Sequence, residues 1–224
     1  MALTALVIPF VSSARRQQLK QGWSARLLEI LGIRLKADAP FVGPGSLIVA
    51  NHVSWLDIFV INAAFPAAFV SKAEVRQWPL AGWLAEKNET VFLRRGSRGH
   101  ARIVNGEIAA LLSRGRHVAL FPEGTTTDGS HVLGFHAALL QPAIEASAPV
   151  QPLAIAYRLP DGRPTRAPAY DGDLSLLDSL MAIVAEPEII ARVTVGAPLS
   201  VAEIPDRKAL ARQARDCIVT AIAG

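Results

Sequence analysis

Four short apolar runs constrain this chain more than anything else in it. They are residues 47–50 (Leu-Ile-Val-Ala), 68–71 (Ala-Phe-Val-Ser), 90–93 (Thr-Val-Phe-Leu) and 117–121 (His-Val-Ala-Leu-Phe). Each is followed by polar or charged residues, and stretches of helical length separate them. Runs that are apolar throughout, rather than alternating, describe strands covered on both faces. Helical patterns at 54–64, 101–113 and 135–146 fall around them, and the last must accommodate Pro142 early. Residues 75–87 are mixed, broken by Pro79 and Gly82. Strands at 150–158 and 189–195 and helices at 174–185 and 207–221 complete the pattern. Strand–helix alternation of this kind builds βαβ units, so the expected class is α/β, with a mostly parallel central sheet flanked by helices. At 224 residues the chain suffices for one well-buried α/β domain and is short for two.

The amino-terminal region differs from the rest. Residues 1–36 hold six cations (Arg15, Arg16, Lys20, Arg26, Arg34, Lys36) against one carboxylate, Glu29, whereas the whole chain is only +4. The basic character therefore sits at one end and points to an anionic surface met by that end. Residues 1–14 carry no charged side chain, yet they are too few to span about 30 Å of hydrocarbon as a helix, and Pro9 interrupts them. Residues 17–35 read as helical, with Trp23, Leu27, Ile30 and Leu31 on one face. An apolar face, a Trp and flanking cations suit a helix lying in a membrane interface. The same pattern also serves a helix packed on the domain core. The expected division is an amino-terminal amphipathic, membrane-docking helical segment over 1–40 and a catalytic domain over 41–224. That places the protein as peripheral or monotopic, on the cytoplasmic face of a membrane. Net positive charge is not carried across the rest of the chain and aromatics are only 6%, so nucleic acid is not an expected partner. A single cysteine, Cys217, excludes an intrachain disulfide.

In α/β sheets, ligands gather at the carboxyl ends of strands. Asn51-His52 follows the first run, Lys72 the second, Arg94-Arg95 the third and Pro122-Glu123-Gly124-Thr125 the fourth. These read as one shared cleft. His52 and Asp57 are five residues apart. On one continuous helix they would stand about 140° apart and could not meet. With His52 on the turn out of the strand and Asp57 in the first turn of the helix, they face each other. A carboxylate then orients an imidazole to take a proton from a hydroxyl or thiol. Ser54-x-x-Asp57 also fits a capping box, with Ser54 as N-cap and Asp57 bonding back. The arginine pair suits phosphate or carboxylate. Glu123, Gly124 and the threonines after it offer an acceptor for a hydroxyl and amide or hydroxyl donors for an anion, or simply a turn. There is no nucleophile elbow, Walker A or dinucleotide glycine pattern, and no zinc-type ligand spacing, so no metal or cofactor is expected.

In order, Asn51-His52-x-x-x-x-Asp57, Phe92-Leu93-Arg94-Arg95, Phe121-Pro122-Glu123-Gly124-Thr125 and Val150-Gln151-Pro152-Leu153 resemble the glycerolipid acyltransferase family, the group containing 1-acylglycerol-3-phosphate acyltransferases. Phe69-Val70-Ser71-Lys72-Ala73-Glu74 and Trp78-Pro79-Leu80-x-Gly82 look like it too, and the resemblance covers about residues 45–160. It implies an O-acyltransferase with acyl-CoA or acyl-carrier protein as donor substrate and a lysolipid acceptor. His52 would be the base and Asp57 its orienting group. Arg95, with Arg94, would bind the acceptor's phosphate, and Lys72 would add charge. Asn51 of the same motif would be among the substrate-binding residues. Glu123, Gly124 and Thr125 would position the acceptor, and Pro152 would shape the fatty-acyl side of the cleft.

One departure from the family stands out. Many phosphate-using members have Arg directly after Glu-Gly-Thr, where this chain has Thr126 and Thr127. The Glu-Gly-Thr-Thr form is similar to members that acylate lyso-ornithine lipid. The first expectation is 1-acylglycerol-3-phosphate as acceptor, giving phosphatidic acid; lyso-ornithine lipid is the second. A hydrolase that turns the same His/Asp pair on a thioester or phospholipid, and a non-catalytic lipid-binding module, are the readings from other classes.

Overall fold

A computed structural model describes residues 12–38, 45–72, 91–93 and 98–223. The elements in chain order are α1 (Ser13–Ile30), β1 (Ile33–Ala37), β2 (Leu47–Ala50), α2 (Asp57–Ala64), β3 (Ala68–Lys72), β4 (Val91–Leu93) and α3 (Arg98–Ser113). Then follow β5 (Val118–Leu120), a 3-10 turn (Ala137–Leu140), α4 (Gln141–Glu145), β6 (Val150–Arg158), α5 (Leu176–Ala185), β7 (Ile189–Val195) and α6 (Arg207–Ala223).

The seven strands form one sheet in the order β1-β7-β6-β2-β5-β3-β4. All neighbours pair parallel except β6 with β7. The mostly parallel α/β class expected from the sequence is the class found. β2 is the central strand, parallel to β5 on one side and β6 on the other. All four of its residues are buried, which is why its sequence is apolar without alternation. Ile48 and Ala50 pack with Leu28 of α1, Val60 and Ile61 of α2 and Ile183 of α5. Leu47 and Val49 face the other way, against Val104 and Ile108 of α3 and Leu210 and Ala214 of α6.

Three local expectations are corrected. The helix read over 17–35 stops at Ile30. Gly32 adopts φ +69°, which only glycine takes freely, and Ile33–Ala37 becomes an edge strand parallel to β7. Helix 135–146 is split into the 3-10 turn and α4. Pro142 has no amide hydrogen, so it is tolerated only in a first turn, and the α-helix begins beside it. Helix α2 begins at Asp57 rather than Ser54, and Leu56 is its N-cap with no side-chain cap.

The apolar face of α1 is largely engaged by the protein itself. Trp23 meets Phe59 of α2 edge-on at 5.3 Å, Leu27 packs against the core and Leu31 is buried in it. Lys20 donates to Ala67 O at 2.8 Å and Gln21 to Ala63 O at 3.0 Å, tying α1 to the far end of α2. Ile30 alone of that face stays exposed, at 67%. Residues 1–11 lie outside the described residues. Among the described residues no helix is long and apolar enough to cross a membrane.

Candidate active site

The chain leaves β2 at Ala50 and turns at once. Asn51 is buried and bonds twice across to β6: its Nδ2 donates to Ile155 O at 2.9 Å and its Oδ1 accepts from Ile155 N at 2.8 Å. A side chain thus continues the β2–β6 ladder past the point where the backbone diverges. Asn51 anchors the turn rather than facing a substrate.

His52 comes next, and it is gripped on every side but one. Its amide donates to Glu123 Oε1 at 2.7 Å, and its carbonyl accepts from Thr127 N at 2.8 Å. Its ring stacks on Phe121 with centroids 3.9 Å apart and planes 8° from parallel. Its Nδ1 lies 2.8 Å from Asp57 Oδ2. Among the described residues Nε2 has no partner, and the side chain is 20% exposed. The residues after β5 therefore hold the residue after β2 by both backbone groups and one ring face.

Asp57 is fully buried. Its Oδ2 accepts, besides the imidazole, the amides of Val53 at 2.7 Å and Ser54 at 2.9 Å. Its Oδ1 accepts the hydroxyl of Tyr157 at 2.7 Å. A carboxylate is an acceptor only, so Nδ1 carries the proton and the Nε2 lone pair faces the open side. The capping box is half present. Asp57 does reach back to Ser54 N, but Ser54 Oγ accepts from Leu56 N at 3.2 Å, because the helix starts at Asp57 itself.

Tyr157 was not singled out in the sequence. It lies at the carboxyl end of β6, the strand beside β2, one hundred residues after its partner. Burial, the Asp57 charge and the hydrogen bond all push its phenol well above the ordinary value, so it remains a protonated donor. A signal was available: it is the aromatic with a polar tip in an otherwise aliphatic strand end. The chain has two tyrosines, and the second also touches the site. Tyr170 N donates to Val53 O at 2.9 Å, and Tyr170 O accepts from Thr126 Oγ1 at 2.5 Å.

Glu123 is 4% exposed, and both its oxygens take backbone amides, of His52 and of Leu133 at 2.7 Å each. Burial raises its pKa, and the two amide bonds oppose that without overcoming it. The carboxylate expected to meet an acceptor instead braces the histidine turn. Gly124 follows at φ +73°, which lets the chain reverse there, and Thr125 is exposed beside it. Thr127 Oγ1 accepts from Gly129 N at 3.2 Å, closing the turn on itself.

Pro152 lies away from this assembly. It pairs with Val49 inside the sheet. A Cβ on Gly196 would lie 3.3 Å from Pro152 Cβ and 2.5 Å from Cys217 Sγ, so the ring is on the α6 side. Tyr157, five residues on, faces the opposite side with Ile48 and Ala50. A proline cannot donate to the ladder; its neighbour Gln151 does so instead, through Nε2 to Gly196 O at 2.5 Å. Lys72 is the last residue of β3, and its side chain lies outside the described residues. Arg94 and Arg95 lie wholly outside them, directly after β4.

Asn51, His52, Asp57 and Glu123 thus come together at the carboxyl ends of β2 and β5, with Tyr157 from β6. Residues 33–156 match the family model described as Acyltransferase. The chain belongs to the acyltransferase family. This acyltransferase is 43% identical over 209 residues to the lyso-ornithine lipid O-acyltransferase of Pseudomonas aeruginosa, covering 93% of this chain and 80% of that one. It is 37% identical over 193 residues to the 1-acyl-sn-glycerol-3-phosphate acyltransferase of Neisseria meningitidis, covering 86% and 75%. Its fold is similar to the crystal structure of the 1-acyl-sn-glycerophosphate acyltransferase of Thermotoga maritima, with TM-score 0.73 and 21% identity over 99% of this chain and 87% of that one.

Proposed function

We propose that this acyltransferase moves a fatty acyl group from acyl-CoA or acyl-carrier protein to the free hydroxyl of a lysolipid, with lyso-ornithine lipid as its acceptor. The observation that carries the reaction is the His52 ring, held at Nδ1 by a buried carboxylate and open at Nε2. Nε2 takes the proton of the lysolipid hydroxyl as its oxygen attacks the thioester carbonyl. The carbon–sulfur bond breaks as the tetrahedral adduct collapses, and the thiolate takes the proton back from Nε2–H. Histidine is regenerated without an acyl-enzyme, so the protein's task is orientation and proton transfer. Asp57 stabilises the imidazolium formed part-way.

Two observations favour lyso-ornithine lipid over 1-acylglycerol-3-phosphate. The relative matched over more of this chain, at 43%, bears the former name. And residue 126, where many phosphate-using members carry Arg, is a threonine whose hydroxyl already bonds Tyr170 O. A glycerophosphate head is purely anionic, whereas ornithine brings both amine and carboxylate and has less need of that cation. The glycerophosphate reading is second; its support is the 37% identical relative.

The test is a panel of the two lysolipids with one labelled acyl donor, together with a blank lacking any acceptor. Faster labelling of lyso-ornithine lipid is the expected result. Preference for lysophosphatidic acid reverses the choice of acceptor. Equal release of free fatty acid with and without acceptor makes the protein a hydrolase.

A further inference from the structure

Helix α5 is apolar nearly all round, yet only Ser179 and Ile183 of it are buried. Leu174, Leu176, Leu177, Met181 and Val184 are 43–66% exposed. Leu177, Met181 and Val184 recur at i, i+4 and i+7 and so form one stripe. Helices of water-facing surfaces carry charge there; this one does not. Beside Ser179 and Ile183, Leu180 packs against the core that holds β2 and α2.

The back of this helix is fastened to the catalytic turn. Trp55, three residues after His52 and two before Asp57, donates its indole N–H to Ser179 Oγ at 3.1 Å. The next strand begins against the end of α1, where Ile189 N donates to Gly32 O at 2.9 Å. Ile30, two residues before Gly32, is likewise exposed, at 67%.

We propose that the exposed stripe of α5, with Ile30, inserts into the acyl surface of a lipid bilayer and sets the catalytic turn at the membrane. The choice of a bilayer rests on the lysolipid reading above, since acceptor and product of that reaction reside there. A stripe on one helix about 15 Å long and about 10 Å wide offers roughly 150 Å², small against the about 800 Å² per partner of a stable dimer. Two cations flanking the α1–β1 turn are already paired: Arg26 with Glu29 at 2.6 Å and Arg34 with Glu188 at 2.8 Å. Contact through this face is thus apolar rather than electrostatic.

The test uses the full chain and neutral phosphatidylcholine vesicles at about 0.5 M salt, where screening removes surface electrostatics. The variant L177Q/M181Q/V184Q changes only exposed side chains. Its vesicle partitioning should fall at least about tenfold. Transfer to a bilayer-borne acceptor should fall with it, while transfer to a short-chain acceptor dissolved as monomer is unchanged. In a second variant, Met181→Trp, the added emission should be quenched by brominated acyl chains. Unchanged partitioning, absence of quenching, or a wild-type dimer that the triple variant dissociates would each overturn the proposal. Partitioning needs no acyl donor, so this result stands apart from whether the acceptor is identified correctly.

Discussion

Tyr157 Oη and Asp57 Oδ1 stand 2.7 Å apart, joining the end of β6 to the first residue of α2. With the imidazole and two amides on Oδ2, this gives the buried carboxylate four donors. None of the four comes from water, so the direction in which Asp57 presents its charge to His52 is set by the sheet. Asn51 secures the same geometry from the backbone side by bonding Ile155, two residues before Tyr157 on the same strand.

Removing that hydroxyl tests whether the tyrosine positions the pair. Tyr157→Phe leaves the ring volume in place but strips a donor from a buried carboxylate oxygen. Stability should fall by about 1–3 kcal/mol in denaturant unfolding. Turnover should fall about tenfold or more while the KM for acceptor changes little, because the loss is in orientation. A raised KM with unchanged turnover would mean that Tyr157 serves binding instead.

Asp57→Asn probes the tautomer. The amide would present an NH2 to a pocket whose other members are the amides of Val53 and Ser54 and the Nδ1 edge of His52. With the NH2 at the Oδ2 place it faces three donors and Nδ1–H loses its acceptor; with the oxygen there the NH2 can donate to the Tyr157 hydroxyl, but in either case the imidazolium loses its anion. Turnover should drop by a factor on the order of 10³–10⁴, as when an orienting carboxylate is removed from a comparable triad. His52→Ala should abolish transfer with the fold intact, checked by circular dichroism. Near-normal turnover of His52→Ala would remove His52 from the role of base, and of Asp57→Asn would remove Asp57 from that of its orienting group.

Glu123 makes a prediction with a definite sign in pH. Its folded pKa is raised above the ordinary 4.5, chiefly by burial. Folding therefore favours its protonated form. The stability this contributes is fully present below the ordinary value and is lost as pH rises through the raised one. Relative to Glu123→Gln, which does not titrate, wild-type stability should decline across that window in a pH series of urea unfolding. A gap that widened with pH would contradict the burial effect. The variant also has one acceptor oxygen for two amides, so the brace on His52 or on Leu133 is lost. Its turnover should fall about tenfold.

The fold class, the strand ends and the meeting of His52 with Asp57 were legible because each is local. Apolar runs mark buried strands, and five residues across a strand–helix junction suffice to bring the pair together. What was not legible depends on sheet register. Tyr157 reaches Asp57 only because β6 lies beside β2 with Leu47 opposite Val150. No local pattern in 150–158 encodes that neighbour. A glutamate beside glycine at a strand end, as Glu123 is, reads as available to a substrate. It turns inward because the turns after β2 and β5 approach closely enough for its oxygens to meet two amides. The amino-terminal helix shows the same limit: an apolar face with Trp23 reads alike whether it meets lipid or Phe59.

Residue 126 tests the acceptor reading. Thr126→Arg exchanges a hydroxyl bonded to Tyr170 O for a guanidinium next to the turn that holds His52. The lost hydrogen bond should cost about 1 kcal/mol. If this position selects the head group, the new cation favours a phosphate and is of less use to a head that already carries an amine. A charge-assisted contact is worth roughly 1.5–3 kcal/mol, or about ten- to hundredfold in preference. The ratio of turnover on lysophosphatidic acid to turnover on lyso-ornithine lipid should therefore rise by at least about tenfold, read from competing acceptors in one vesicle preparation. An unchanged ratio, with the variant folded and active, would show that the head group is chosen elsewhere, and Arg94 and Arg95 would be the next residues to exchange.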